Sequence, residues 1–268
     1  MNKRGSLLVF AIWVLVVFSI LSVGVYKIVS SQITVAKVLE ERLVSLYLAK
    51  AAFAYAKIER ASDDTEYNTL YELGQVRQKQ LGKGKYTYTI IDEESKININ
   101  KAPGEILANL AGLDEELAAA IVDSPLRPFE LKEEVLLVEG ITPDIYNQFK
   151  DIVTVYGDGA VNINTAGEDV FRVLGFDDDL IESVKAYRCG PDFEEGTEDD
   201  VAFETIEATE VASFLAEQTL LISLKSKELL GTSSDNFSLK INTEILDRPV
   251  MSYNIIMEDG KIKRWMEY

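Results

Sequence analysis

GSLLVFAIWVLVVFSILSVGVY, residues Gly5–Tyr26, carries no charge and is bounded by Arg4 on one side and Lys27 on the other. As an α-helix these 22 residues extend about 33 Å, enough to cross the hydrocarbon core of a bilayer. The helical pattern runs on through IVSSQITVAKVLEERLVSLYLAKAAFAYAKIERA, where Val35, Leu39, Leu43, Leu46 and Phe53 recur on one face. No proline occurs before Pro103, and Ala and Leu dominate, so helix propensity is high. One helix over residues 6–60 is therefore predicted, roughly 80 Å long, with a membrane span at about residues 6–26 and an amphipathic half outside it. Lys3 and Arg4 ahead of the span orient the N-terminus to the cytoplasm and the main body to the other side.

Composition narrows what that body does. The chain has 268 residues, 47% of them hydrophobic, and a formal charge of −18. Such a surface repels nucleic acid and attracts cations or basic partners. Cys189 is the single cysteine, which rules out an intrachain disulfide. There is no histidine, which removes the commonest general base and zinc ligand and every Ser-His or Cys-His pair. No glycine-rich phosphate loop or nucleophile constellation is found, so an enzyme is not expected.

Beyond the helix the sequence repeats itself. SKININKAPGEILANLAGLDEELAAAIV (Ser95–Val122) recurs as AVNINTAGEDVFRVLGFDDDLIESVK (Ala160–Lys185). Asn98, Asn100 and Ala102 match Asn162, Asn164 and Ala166; Leu113, Asp114, Leu117 and Ile121 match Phe176, Asp177, Leu180 and Val184. Each copy reads as a short extended stretch, a turn, a helix, a tight break and a second helix capped by Asp114 or Asp177. Between them, FELKEEVLLVEGITPDIYNQFKDIVTVYG sets Gly140 as a helix stop, Thr142 as an N-cap and Pro143 at the first helical position. That is a helix-hairpin-helix signal, a motif that often grips DNA with backbone amides. Here Glu133, Glu134, Glu139 and Asp144 surround it against Lys132 and Lys150, which favours packing over DNA binding.

Strands flank the helical region. KYTYTIID (Lys85–Asp92) alternates at period two, and FSLKINTEI (Phe237–Ile245), VMSYNIIM (Val250–Met257) and KIKRWMEY (Lys261–Tyr268) follow near the C-terminus. Glu258-Asp259-Gly260 is a tight hairpin turn joining the last two. A sheet drawn from both ends of the sequence makes the helical region an insertion. The fold class expected is α+β: a long N-terminal helix, an α/β body with an antiparallel sheet, and a large inserted all-α domain.

The placement of Lys3-Arg4-Gly5 against the apolar run resembles a type IV prepilin-type leader, cut by a prepilin peptidase between Gly5 and Ser6 so that the hydrophobic helix stays on the mature protein. Pilin-like proteins mostly carry glutamate at the fifth mature position; here that position is Phe10. Together with NINKAPGEIL, NINTAGEDVF, LLVEGITPDIY and the terminal strands, this resembles the K-type minor pseudopilin of type II secretion, general secretion pathway protein K, over almost the whole chain. The resemblance implies a leader (1–5), an N-terminal helix (6–60), a pilin-like body from 61–100 and 234–268, and an inserted helical domain (101–233). It implies a non-catalytic tip subunit in the inner membrane, its main domain periplasmic, assembling with the I-type and J-type minor pseudopilins. The competing reading is a membrane-anchored helix-hairpin-helix DNA-binding protein.

One loop invites a metal. CGPDFEEGTEDDVAF places Asp192, Thr197, Asp199 and Asp200 near Gly190 and Gly196, within residues 177–210 that hold thirteen acidic side chains. Calcium takes six to eight oxygens from a flexible loop, and the family resemblance implies calcium as well. The alternative is a solvated acidic turn.

Overall fold

The computed structural model describes residues 3–61, 67–206, 218–258 and 260–268. Helix α1 (Lys3–Ala61) is continuous over 59 residues. It is the one described helix long and apolar enough to cross a membrane, and its side chains from Leu8 to Tyr26 are almost all exposed. The stripe that packs further along matches the expected one only in part. Leu46 and Phe53 pack half-buried against the sheet core, but Val35, Leu39 and Leu43 stay exposed, and the fully buried positions are Ser45, Leu48, Ala49, Ala52 and Ala56. The reason is reach: the sheet first meets the helix where Arg248 pairs with Glu41 and Ser45 bonds to Thr243. Beyond that level Leu48 fills the interface together with Ala49, Ala52 and Ala56, whose small side chains let the helix backbone lie close to the strands.

After α1 come α2 (Leu70–Gly74), closed by a Thr69–Glu72 capping box, β1 (Arg77–Leu81) and β2 (Gly84–Asp92). The chain then leaves the sheet for β3 (Ile97–Asn98), α3 (Gly104–Leu107), α4 (Glu115–Val122), a 3-10 turn (Lys132–Leu137), α5 (Pro143–Phe149) and β4 (Val153–Thr154). A second excursion gives β5 (Val161–Asn162), α6 (Glu168–Val173), α7 (Asp178–Arg188), a 3-10 turn (Gly190–Asp192), α8 (Gln218–Ser226) and β6 (Leu230–Gly231). The sheet resumes with β7 (Asn236–Ile245), β8 (Arg248–Glu258) and β9 (Lys261–Glu267). Of the expected Glu258-Asp259-Gly260 turn, Asp259 lies outside the described residues.

The sheet is antiparallel in the order β1-β2-β7-β8-β9. Strands from both ends of the sequence therefore lie side by side, β2 against β7, and the helical region is an insertion between them. Alternation delivers Tyr86, Tyr88 and Ile90 of β2, with Leu239, Ile241, Tyr253 and Ile255, to a core closed by α1. Strand β1, RQKQL, has no apolar alternation and no sequence signal of its own. It forms because β2 offers an open edge one turn away, and its Arg77 and Lys79 discourage pairing with another chain.

In the insertion the two copies match further than their sequences do. β3 pairs in parallel with β4 and β5 in parallel with β6, so each copy begins and ends on its own two-residue bridge. Asn100 Oδ1 accepts the Phe129 N–H at 2.7 Å and Asn164 Oδ1 that of Phe203 at 2.6 Å. Asn98 and Asn162 each receive the N–H two residues on, at 2.9 and 3.0 Å. The Asn-x-Asn pattern is thus a clamp that ties a later loop to the start of each copy. Ile99, Leu107, Ile121 and Phe149 of the first copy share one core with Ile163, Phe171, Ile181 and Leu230 of the second.

Candidate functional site

Three places in the fold bear on function: the joint between sheet and insertion, the acidic loop, and the N-terminal helix. At the joint, β2 ends in three consecutive carboxylates, Asp92, Glu93 and Glu94, all buried. Asp92 accepts bonds from the Thr165 hydroxyl at 2.5 Å, the Ser234 hydroxyl at 2.6 Å and the Asn162 amide at 3.0 Å. Glu93 accepts from Lys96 at 3.0 Å and from the Thr154 hydroxyl at 2.8 Å. Glu94 accepts from the Asp235 N–H at 2.8 Å and the Asn236 amide at 2.9 Å. The first residue thus holds the second copy, the second holds the first copy, and the third holds the return strand.

Their electrostatics diverge. Burial raises the pKa of Asp92 above the ordinary carboxylate range, outweighing its hydrogen bonds. Burial also raises Glu94, and the neighbouring Asp92 and Asp158 push the same way. For Glu93 burial is outweighed by Lys96 and by hydroxyl bonds from Ser238 and Thr154, so its pKa is lowered. Nothing in the local sequence singles this triplet out, because burial of Asp-Glu-Glu is decided by strands and loops far away in the chain.

The acidic loop closes on itself. Gly190 has φ +63°, and a Cβ there would lie 2.1 Å from the Asp199 carbonyl oxygen, so only glycine allows this closure. The Thr197 hydroxyl donates to Asp199 Oδ1 at 2.8 Å, and the Asp192 N–H donates to Asp199 Oδ2 at 3.1 Å. The Asp200 carboxylate points elsewhere, accepting the Gly196 N–H at 2.9 Å and, from the body, the Tyr71 N–H at 3.0 Å. Arg188, buried beneath, pairs with Glu195 and donates to the Ile163 and Ala166 carbonyls. The sequence-chosen residues therefore sit in one turn, with Thr197 and Asp199 in contact and Asp192 joined to Asp199 through its backbone. The oxygens are of the class calcium prefers, but Asp192, Asp199 and Asp200 accept bonds from backbone N–H groups and the Thr197 hydroxyl donates to Asp199. Among the described residues no three acidic, His or Cys side chains are grouped as a metal site.

The hairpin glycine, Gly140, is packed against α4: with φ +89°, a Cβ there would lie 2.6 Å from Leu117 Cδ2. Charge reinforces the packing role. Residues 93–235 carry 32 acidic and 10 basic side chains, net −22, against 13 and 17 in the remainder, net +4. At the other end, Gly5 and Ser6 lie in the first turns of α1, and Phe10 is exposed along the apolar run.

A family model of the helix-hairpin-helix motif matches residues 92–154, the first copy from the strand exit to β4. No curated protein matches the sequence. Among solved structures, a chain of the GspK-GspI-GspJ complex from the type 2 secretion system of enterotoxigenic Escherichia coli is similar at TM-score 0.62 and 13% identity. The match covers 85% of this chain and 96% of that one. The fold is shared with that chain of the secretion complex. Here α1 supplies an apolar helix and β1, β2 and β7–β9 the sheet it packs on. The shared part extends beyond them, because helix and sheet outside residues 93–235 make up only about half of the chain.

Proposed function

We propose that this chain is a K-type minor pseudopilin of a type II secretion system: a non-catalytic subunit that caps or initiates the pseudopilus tip. The observation that carries the reading is the coverage of the structural match, 85% of this chain, which is too large to leave out the insertion. An insertion between β2 and β7 gives the head bulk that would obstruct a subunit stacked above it. Phe10 supports the same position, since without a carboxylate there the subunit has nothing to pair with a neighbour's N-terminal amine.

The helix anchors the chain in the inner membrane by a single pass, N-terminus cytoplasmic and head periplasmic, after prepilin peptidase cuts between Gly5 and Ser6. The partners are the I-type and J-type minor pseudopilins; GspI and GspJ accompany GspK in the similar complex. The acidic loop binds one calcium ion through Asp192, Thr197, Asp199 and Asp200, which exchange backbone N–H partners for the ion. DNA binding is disfavoured by the −22 charge of the insertion.

Site-specific crosslinking from the insertion in assembled pseudopili tests the assignment. Adducts confined to the I-type and J-type subunits at one end are expected. Adducts with the major subunit along the whole filament would exclude a tip position, and a salt-dependent shift of duplex DNA would favour the DNA-binding alternative.

A further inference from the structure

On the face of the sheet turned away from α1, the first copy of the insertion overhangs β7–β9 and leaves a cleft of about 440 Å³. Past Tyr156 and Arg264, which line both, it continues into a second hollow of about 750 Å³. The space is therefore a groove rather than a closed pit. Register sets what the sheet contributes: Lys240 is paired with Asn254, and Ile256 with Arg264, so all four side chains share the outer face. Lys96 and Lys132 reach the same cleft from the insertion, and Lys101 and Lys263 line the second hollow.

The acids along the groove do not match these cations. Glu93 is taken by Lys96 at 3.0 Å, Glu258 by Lys263 at 2.7 Å, and Glu133 by the Tyr146 hydroxyl. Asp151 and Glu130 remain, both exposed. Among the described residues Lys240 and Arg264 have no ion pair, and Lys132 gives its ammonium only to the Lys150 carbonyl, at 2.6 Å. Burial and the nearby Lys96 lower the pKa of Lys132, and an anion beside them would relieve that repulsion. Positive charge thus collects here although the insertion that roofs the cleft is net −22. Two further features narrow the ligand. Ile91, Leu131, Val153 and Met266 give the cleft apolar wall between its cations, which suits neither a bare inorganic anion nor a polyphosphate chain. Asn254 Oδ1, in the same lining, is buried without a partner, and an acceptor is what a peptide N–H requires.

We propose that this groove is a docking site for an extended peptide segment of a partner protein in which acidic and apolar side chains alternate. Its carboxylates meet Lys240, Arg264 and Lys132, its apolar side chains lie on the cleft wall, and one of its N–H groups bonds to Asn254. The site belongs to the head and stands whether or not the chain is a pseudopilin. Fluorescence anisotropy tests it, using a labelled peptide of alternating glutamate and valine and the full chain in detergent micelles. Saturable binding that weakens with added salt is expected. Lys240→Glu, at an exposed position, should weaken it about tenfold or more, and Asn254→Ala should weaken it without changing the salt dependence. Should Lys240→Glu lower the thermal melt, Arg264→Gln is the second route to the same loss. A peptide of alternating lysine and valine should not bind, and inorganic phosphate should not displace the acidic one. Binding of both peptides alike, full displacement by phosphate, or wild-type affinity in folded Lys240→Glu and Arg264→Gln would overturn the site.

Discussion

Asparagine is the residue that makes the inserted units work. Its side chain offers one acceptor and two donors in a plane, and Asn164 uses them all. Oδ1 takes the Phe203 N–H at 2.6 Å, and Nδ2 gives to the Phe203 and Thr232 carbonyls at 3.0 and 2.8 Å. Asn164→Ala leaves a buried N–H and two carbonyls unmatched and should cost about 2–3 kcal/mol of unfolding free energy, measured by denaturant titration. Asn100→Ala should behave alike, because Asn100 clamps Phe129 in the same manner. Gly5 is a residue-scale case of another kind. On the proposed processing after Gly5, which needs a small residue at the cleavage site, a bulky replacement should leave a longer, membrane-inserted precursor, read by N-terminal sequencing and mass. A mature start near residue 25 would contradict the leader.

At the scale of elements, α1 is governed by the size of its buried stripe. Ala52 is fully buried against the sheet, so Ala52→Leu forces helix and strands apart and should destabilise by about 1–3 kcal/mol in thermal or denaturant unfolding. Leu39→Ala or Val35→Ala, at positions that are exposed, should leave the head's stability unaltered. The acidic loop is an element whose order can be linked to a ligand. A calcium ion bound only by the folded loop adds about 2.7 kcal/mol at a hundredfold excess over Kd. The wild-type melt should therefore rise in calcium relative to chelator, and Asp199→Ala with Asp200→Ala should abolish the difference. The double variant should also lower the melt in chelator, since Asp200 holds Tyr71 of the body at 3.0 Å. Identical wild-type melts in calcium and chelator would leave the loop an acidic turn.

At the scale of the molecule, two cores are joined by one polar seam. The sheet core draws on α1 and strands from both ends of the sequence; the insertion has its own, shared by both copies. Its ends lie together, as the Glu93–Asn236 bond records. Residues 93–235 expressed alone should therefore unfold cooperatively on heating, followed by circular dichroism. A gradual, non-cooperative melt would mean that the sheet is needed to order the helical copies. Charge divides along the same line, −22 in the insertion and +4 elsewhere, so the excised part should move toward the anode faster for its size than the parent.

What the sequence determined by itself is local in origin. Charge-free length makes the span, period-two alternation makes β2 and β7–β9, and the Asp114, Thr142 and Asp177 caps start helices wherever they occur. The doubled Asn-x-Asn pattern likewise revealed two copies, since a repeat is visible without a partner. Tertiary structure decided the rest, where a residue's role depends on something distant in the chain. Leu48, Ala49, Ala52 and Ala56 became the packing stripe because the sheet meets α1 only from the level of Glu41 and Ser45 onward; RQKQL became a strand because β2 offered an edge. Phe129 and Phe203 became equivalents through the asparagines they meet, 29 and 39 positions away. Asp92 closes the predicted strand and Glu93 and Glu94 carry no sequence signal; only the return of Ser234, Asn236 and Ser238 from the far end of the chain buries them, because desolvation belongs to the assembled fold and not to the residue.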